Sequence, residues 1–230
     1  MTSLKVQATT TQILPLENGD RLTRIEFERR YSAMPKLKKA ELIERIVYIG
    51  SPVRAKSHGQ PHAAIMAILS AYWVATPGVD IGNNSTVRLD LDNEPQPDAL
   101  LRLEFGGRSI VSADDYVEGS PELIVEIAAS SAAYDLHDKK QVYRRNGVQE
   151  YVVWQVFENK LDWFSFQSGE YVPLQPDDNG VVRSLVFPGL WLFVPSLLAG
   201  EMPEAIALLQ LGLTSPEHAQ FIELLANKSF

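Results

Sequence analysis

The sequence predicts a mixed α/β (α+β) fold, in which a central β-sheet is flanked by helices. A strongly apolar segment at residues 123–129, a helical segment ending at Gly147 and an apolar segment at residues 150–156 follow one another. The order strand, helix, strand predicts one parallel crossover. Shorter apolar segments separated by turn residues predict hairpins, whose strands pair antiparallel. The sheet is therefore expected to be mixed.

The N-terminal segment is predicted to contain an arm, a helix and a hairpin. Residues 1–20 are polar and are expected to form an irregular, mobile arm. A capping box predicts a helix over residues 23–32. Residues 41–49 are rich in branched side chains and predict a hairpin that turns at residues 44–45, although no Gly or Asn marks that turn.

A second helix is predicted to run from His58 to Thr76, where Pro77 stops it. His58 and His62 have the spacing at which two histidines of one helix can ligate a metal. Because Pro61 lies between them, we expect the two histidines on different helix faces. Further strands and two C-terminal helices follow from alternation, turn residues and helical spacing. The strands are expected at residues 79–81, 86–89, 99–103, 160–166 and 170–173, and the helices at 203–211 and 215–226.

Glu126 is the first residue that breaks a rule of burial. It interrupts the apolar segment 123–129, which is predicted to be a strand buried on both faces. A buried carboxylate needs a partner, because its desolvation costs several kcal/mol. A metal shared with a second carboxylate would meet that need, and Asp98 is the candidate. It follows Pro97 and precedes the short apolar strand 99–103.

Lys139 breaks the same rule on the helix that follows. Asp135 is predicted to cap this helix and Gly147 to end it. At about 100° per residue, Lys139 falls on the apolar face defined by Val142 and Tyr143. A lysine on the buried side of a helix, close to a buried carboxylate, suggests a functional site, because local rules tend to fail together there.

These motifs resemble the Uma family of restriction-endonuclease-like proteins. The motifs are Pro97-Asp98, Glu122-Leu-Ile-Val-Glu-Ile127, Asp135-x3-Lys139-x3-Tyr143 and Gly147-Val-Gln-Glu-Tyr151. That family is common in cyanobacteria and belongs to the PD-(D/E)XK nuclease superfamily. The resemblance implies a restriction-endonuclease-like core at residues 21–198, preceded by the arm and followed by a helical extension at residues 199–230. The extension is a candidate for covering a sheet edge or for forming a homodimer.

The resemblance also implies roles for the core residues. Asp98 and Glu126 would hold Mg²⁺, or Mn²⁺ in its place, together with the backbone carbonyl of Ile127. The superfamily places a lysine two positions after the glutamate, but Ala128 occupies that position. In the related variant the lysine has moved to the following helix, where Lys139 lies. Lys139 would orient the attacking water or stabilise charge on the phosphorus.

Four further residues are candidates for supporting roles. Asp135 and Tyr143 share the helix face of Lys139 and would hold it in place. In the resembled family, the glutamate at the position of Glu41 lies near the active centre, although an exposed strand carboxylate is the alternative. The resemblance suggests that His62 positions phosphate or water, whereas a structural role at a helix start is the alternative.

Composition limits the classes of function. The chain has 230 residues, no cysteine and a net charge of −8, so thiolate chemistry is excluded and indiscriminate nucleic-acid binding is disfavoured. No signal peptide and no apolar segment long enough to cross a bilayer is present in the sequence, so a cytoplasmic protein without membrane contact is expected.

Three interpretations of these residues remain open. The first is a metal-dependent endonuclease that cleaves nucleic acid, with DNA ahead of RNA. The second is a catalytically silent scaffold with a nuclease fold that binds nucleic acid or protein. In the third, Glu126 and Lys139 form a buried salt bridge and nothing binds.

Overall fold

Runs of short strands are separated by helices along the chain, which we describe from a computed structural model over residues 13–50, 52, 54–129 and 131–228. The helices are α1 (Arg24–Ser32), α2 (Gln60–Ala75), α3 (Ala132–Tyr134), α4 (Lys140–Asn146), α5 (Val194–Ala199), α6 (Met202–Leu213) and α7 (Pro216–Ala226). The strands are β1 (Ala40–Ile43), β2 (Ile46–Ile49), β3 (Val79–Asn83), β4 (Val87–Arg88), β5 (Ala99–Leu103), β6 (Ser109–Val111), β7 (Val117–Gly119), β8 (Leu123–Ala128), β9 (Glu150–Gln155), β10 (Lys160–Gln167), β11 (Glu170–Pro173), β12 (Val181–Arg183) and β13 (Trp191–Phe193). Wider π-helical turns at Ala55–Gly59 and Asp135–Lys139 lead directly into α2 and α4.

The central sheet is mixed, as the sequence predicts. Within the described residues, its strand order is β11-β10-β9-β8-β5-β3. The predicted crossover joins β8 and β9, which pair in parallel, and every other neighbouring pair in this sheet is antiparallel. All six residues of β8 are buried, because helices cover both faces of the sheet at its centre.

The two faces of β8 belong to different parts of the core. Leu123 and Val125 pack in the cluster that includes α2, α6 and α7. Ile124 and Ala128 pack in the cluster on the other face, which includes α4. Because side chains alternate along a strand, Glu126 points to the face covered by α4. The alternation of side chains thus places the carboxylate of Glu126 in the cluster that includes α4.

The predicted hairpin is confirmed: β1 and β2 pair antiparallel from Ala40–Ile49 to Ile43–Ile46. Its turn residues Glu44 and Arg45 both have a positive φ, at 52° and 64°. Two successive left-handed residues are the requirement of the tight hairpin turn that Asn-Gly usually fills. The hairpin therefore holds two residues in a conformation that their side chains disfavour.

The N-terminal arm is described only from residue 13, and residues 1–12 of the predicted arm lie outside the described residues. Its described end is irregular, as expected, yet it is anchored on the hairpin. Leu16 is buried, and the amide of Gly19 donates to the carbonyl of Val47 at 2.8 Å. Helix α1 begins after Thr23, whose hydroxyl accepts from the amide of Glu26, so the predicted N-cap is confirmed.

The starts of two helices correct two details of the sequence analysis. Asp135 does not cap its helix, because the helical segment begins at α3 and Asp135 opens the π-helical turn inside it. His58 and His62 do share one side of the helix: their rings stack with centroids 5.8 Å apart. Proline is accommodated in a first helical turn, so Pro61 does not separate residues four apart, which lie on one helix face.

The C-terminal helices share the core of the sheet. Ala205 and Leu209 of α6 and Leu225 of α7 are buried in the cluster on the α2 face. His218 of α7 lies 2.9 Å from the hydroxyl of Thr76 at the end of α2. In the described ranges, none of the helices is both long and apolar enough to span a membrane.

We predict that Glu44→Asn combined with Arg45→Gly stabilises the protein by about 1 kcal/mol, because both new residues tolerate a positive φ. The measurement is urea unfolding followed by far-UV circular dichroism. The control is Glu44→Ala with Arg45→Ala, which removes the same side chains without relieving the backbone. Equal unfolding midpoints for the two double variants would contradict the prediction.

Candidate active site

The site is formed where β5 and β8 lie side by side. Asp98 directly precedes Ala99, which pairs with Val125 in the antiparallel ladder, so Asp98 and Glu126 emerge as neighbours. Oδ2 of Asp98 accepts a hydrogen bond of 2.7 Å from the amide of Ile127. Asp98 and Glu126 are 3% and 2% exposed, so both predicted ligands are carboxylates withdrawn from bulk water.

Lys139 connects this pair to the rest of the predicted site. Its Nζ lies 2.9 Å from Oε1 of Glu126, 2.9 Å from Oε1 of Glu41 and 3.7 Å from Oδ1 of Asp135. The hydroxyl of Tyr143 donates to the same Oε1 of Glu126 at 2.8 Å. The tertiary structure therefore brings Glu41, which the sequence left equally compatible with an exposed strand position, into contact with Lys139.

Hydrogen bonds fix the outer carboxylates of this cluster. Oε1 of Glu41 also accepts from the amide of Gln96 at 2.8 Å. Oδ2 of Asp135 accepts from the hydroxyl of Ser131 at 2.6 Å, and the carbonyl of Asp135 accepts from the hydroxyl of Tyr151 at 2.9 Å. Glu41 and Asp135 are thus held in place from both sides of Lys139.

The cluster contains more negative than positive charge. Burial by itself lowers the pKa of Lys139, but the charges of Glu126, Glu41 and Asp135 outweigh it and raise that pKa well above its ordinary value. Lys139 therefore stays protonated. Burial, opposed by Lys139 and reinforced by Asp135, Asp98 and Glu41, raises the pKa of Glu126 to about 8. One ammonium does not neutralise the carboxylates that surround it, so a further cation is electrostatically favoured here.

Asp98 also contacts two basic side chains that the sequence analysis did not include in the site. Its Oδ1 is buried without a hydrogen-bond partner, and it lies 3.6 Å from Nζ of Lys39 and 3.5 Å from Nε2 of His58. His62 instead approaches the backbone, with Nε2 3.0 Å from the carbonyl oxygen of Asp98. A sequence signal existed: Lys39 precedes Glu41 by two positions and His58 precedes His62 by four.

The donor set suits a hard divalent cation. The two predicted side-chain ligands, Asp98 and Glu126, offer oxygen, as does the carbonyl of Ile127, and oxygen ligands match Mg²⁺ or Mn²⁺. Oδ1 of Asp98 makes no hydrogen bond, so a cation could bind it without displacing one. Among the residues that the structure describes, no three or more His, Cys, Asp or Glu side chains form a ready-made metal cluster. Mg²⁺ usually keeps several water ligands, so these protein oxygens would suffice to hold it.

We predict that Lys139→Met lowers the free energy of unfolding by about 3–5 kcal/mol, because it leaves buried carboxylates without their cation. Adding Glu126→Gln should recover part of this loss, since the amide removes one of the stranded charges. Urea unfolding of the wild type, both single variants and the double variant measures the coupling. Additive single effects would show that the ion pair has no energetic role.

The raised pKa of Glu126 predicts a pH dependence of stability. Between the ordinary value of 4.5 and about 8, the folded protein retains a proton that the unfolded chain has lost, so stability falls as the pH rises through this window. Glu126→Gln cannot ionise and should show a shallower decline in metal-free urea titrations. Burial also raises the pKa of Glu94 to about 8 and of Glu150 to about 7, but those declines are common to both proteins. Parallel curves would contradict the assignment.

Comparisons with known proteins agree with the fold and the motifs. A model of the family Uma2, described as "Putative restriction endonuclease", matches residues 25–196. Among solved structures, a protein from Anabaena variabilis, titled as a "putative nuclease belonging to DUF820", aligns with a TM-score of 0.52 and 11% sequence identity. The alignment covers 79% of this chain and 97% of that one, which supports a shared fold. No curated protein matches the chain. Because the family model covers most of the chain, including every motif of the site, the protein belongs to the Uma2 family.

Proposed function

We propose that the protein is a metal-dependent endonuclease that hydrolyses phosphodiester bonds of nucleic acid. The observation that carries this proposal is the pair Asp98 and Glu126 on neighbouring strands, with Oδ1 of Asp98 buried and without a hydrogen-bond partner. A buried carboxylate oxygen that makes no hydrogen bond is available to a ligand such as a cation. Membership of the Uma2 family supports nucleic acid as the substrate class.

In this mechanism, Asp98, Glu126 and the carbonyl of Ile127 would hold Mg²⁺, or Mn²⁺ in its place. Such an ion would supply charge neutralisation at the phosphate and a water molecule of lowered pKa. Lys139, at 2.9 Å from Glu126, orients the attacking water or stabilises the charge that develops on the phosphorus. Tyr143 donates to the same carboxylate and fixes its rotamer.

Glu41 and Asp135 act through Lys139 in this proposal. Both carboxylates lie on its ammonium, and both have further hydrogen bonds that hold them there. His62 acts through the backbone of Asp98, to which its ring is hydrogen-bonded, so we assign it a positioning role. None of these three residues needs to touch the substrate.

DNA is the substrate that we propose first, because the family is described as one of restriction endonucleases. A homodimer belongs to the same proposal. The exposed side chains of Leu211 on α6 and Leu224 on α7 supply apolar surface for it.

The competing proposal is a catalytically silent nuclease fold that binds nucleic acid or protein. The net charge of −8 favours it, as does the enclosure of Lys139, whose side chain is only 3% exposed. Such a protein would use Glu126 and Lys139 as a buried ion pair and would have no need of a metal.

We predict saturable binding of Mg²⁺ and Mn²⁺ that is lost in Asp98→Asn and in Glu126→Gln, measured by isothermal titration calorimetry. Asp178→Asn, which removes an exposed carboxylate, is the matched control and should bind metal as the wild type does. With an oligonucleotide substrate, both site variants should cleave at least about a hundredfold more slowly, because several kcal/mol of stabilisation are lost. Absence of metal binding by the wild type, with and without oligonucleotide, would support the silent fold instead.

A further inference from the structure

Two of the acid-free segments of this acidic chain carry basic residues and lead to the candidate active site. The chain has 29 Asp and Glu against 21 Lys and Arg, but residues 33–40 and 50–64 contain no acid. We call their lysines and arginine the basic rim. The basic rim consists of Lys36, Lys38, Lys39, Arg54 and Lys56. Positive charge is therefore concentrated locally, although the protein as a whole is negative.

Both segments converge on one oxygen atom of the candidate active site. The amide of Gly50 donates to the carbonyl of Lys39 at 3.1 Å, which places the start of the second segment beside the end of the first. Lys39 from the first segment and His58 from the second then approach Oδ1 of Asp98, at 3.6 Å and 3.5 Å. The basic rim thus ends at the proposed metal ligand.

Lys39 and His58 are more exposed to solvent than Lys139. The side chains of Lys39 and His58 are 29% and 19% exposed, whereas that of Lys139 is 3% exposed and is enclosed by carboxylates. The other members of the basic rim are exposed. A phosphate arriving from solvent at Asp98 would therefore meet Lys39 and His58 before Lys139.

We propose that the basic rim binds the phosphate backbone of a nucleic-acid strand and that Lys39 and His58 place the scissile phosphate at Asp98. Lysine and arginine bind such a backbone by releasing its condensed counterions, so binding depends steeply on salt. His58 can donate a hydrogen bond to phosphate in either protonation state, because its ring always has an N–H. The remaining acidic surface repels the strand and confines it to the rim. This inference rests on the proposed function and adds the residues that bind the substrate.

The proposal predicts that removing charge from the basic rim weakens DNA binding more than removing the same charge elsewhere. We expect Lys38→Gln with Lys56→Gln to weaken binding of a fluorescein-labelled single-stranded DNA about tenfold and to lower the salt slope by roughly 1.4, the value for two lost contacts to a single strand. The control is Arg183→Gln with Lys228→Gln, which removes the same charge. Arg183 directly precedes Ser184, whose hydroxyl donates to Glu150 at the start of β9. Lys228 lies beside Gly106, which follows β5. Both control residues are therefore away from Asp98.

Fluorescence anisotropy in EDTA makes this measurement independent of cleavage. Equal weakening in the rim and control variants, or no binding by the wild type to single-stranded or duplex DNA, overturns the inference. Binding that is weakened only in the rim variant supports it. If that result is found and Mg²⁺ and Mn²⁺ give no cleavage, the basic rim stands and the proposed catalytic function fails.

Lys39 has a second signature, because it lies against an oxygen that we propose as a metal ligand. Lys39→Met should weaken binding of the same DNA several-fold and strengthen binding of Mn²⁺ about fivefold, since a competing positive charge is removed. Lys228→Met, which removes an exposed lysine outside the basic rim, is the control: it should leave Mn²⁺ and DNA binding unchanged. Lys39→Arg should restore DNA binding.

Calorimetry with Mn²⁺ alone, anisotropy in EDTA and thermal unfolding of each variant provide the readouts. Opposite shifts of metal and DNA affinity in Lys39→Met, with an unchanged melting temperature, support the assignment. Metal and DNA affinities that fall together, or that both stay at wild-type values, overturn it.

Discussion

The structure of the site depends on the ion pairs of one buried ammonium group. Nζ of Lys139 lies between carboxylates from β8, β1 and the π-helical turn before α4. Each of those carboxylates would be costly to bury alone, and a single cation offsets part of the cost for all of them. The ammonium therefore connects the central strand, the N-terminal hairpin and the helix on the sheet's second face.

The same balance of charge links stability with the proposed chemistry. Burial of Glu126, opposed by Lys139 and reinforced by the neighbouring carboxylates, raises the pKa of Glu126 to about 8. A protein selected for stability alone would replace such a cluster with apolar side chains. Here the cluster is retained beside Asp98, whose buried Oδ1 has no hydrogen bond. Several local rules of burial are thus broken at one place, which is common at functional sites.

Much of the fold follows from local sequence patterns, but two details of the helices were predicted wrongly. The apolar run of β8, the capped helix α1 and the hairpin turn at Glu44 and Arg45 all form where the sequence predicts them. The histidine pair was assigned incorrectly because Pro61, in the first turn of α2, does not separate residues four apart. Asp135 was assigned incorrectly because a π-helical turn precedes α4. A π turn has no residue signature of its own; it forms where packing on both sides of the helix favours it.

The sequence alone determined the candidate ligands and their lysine, because Asp98, Glu126 and Lys139 each combine a charge with an apolar or strand-forming setting. Charged residues in segments predicted to be buried can be recognised from the sequence without a structure. Only the tertiary structure decided that Lys39 and His58 meet at Oδ1 of Asp98. Both are ordinary surface residue types in segments distant from Asp98 along the chain, and their contact depends on how the hairpin and α2 pack at the end of β5. Side-chain proximity of that kind is set by packing, which local sequence patterns do not encode.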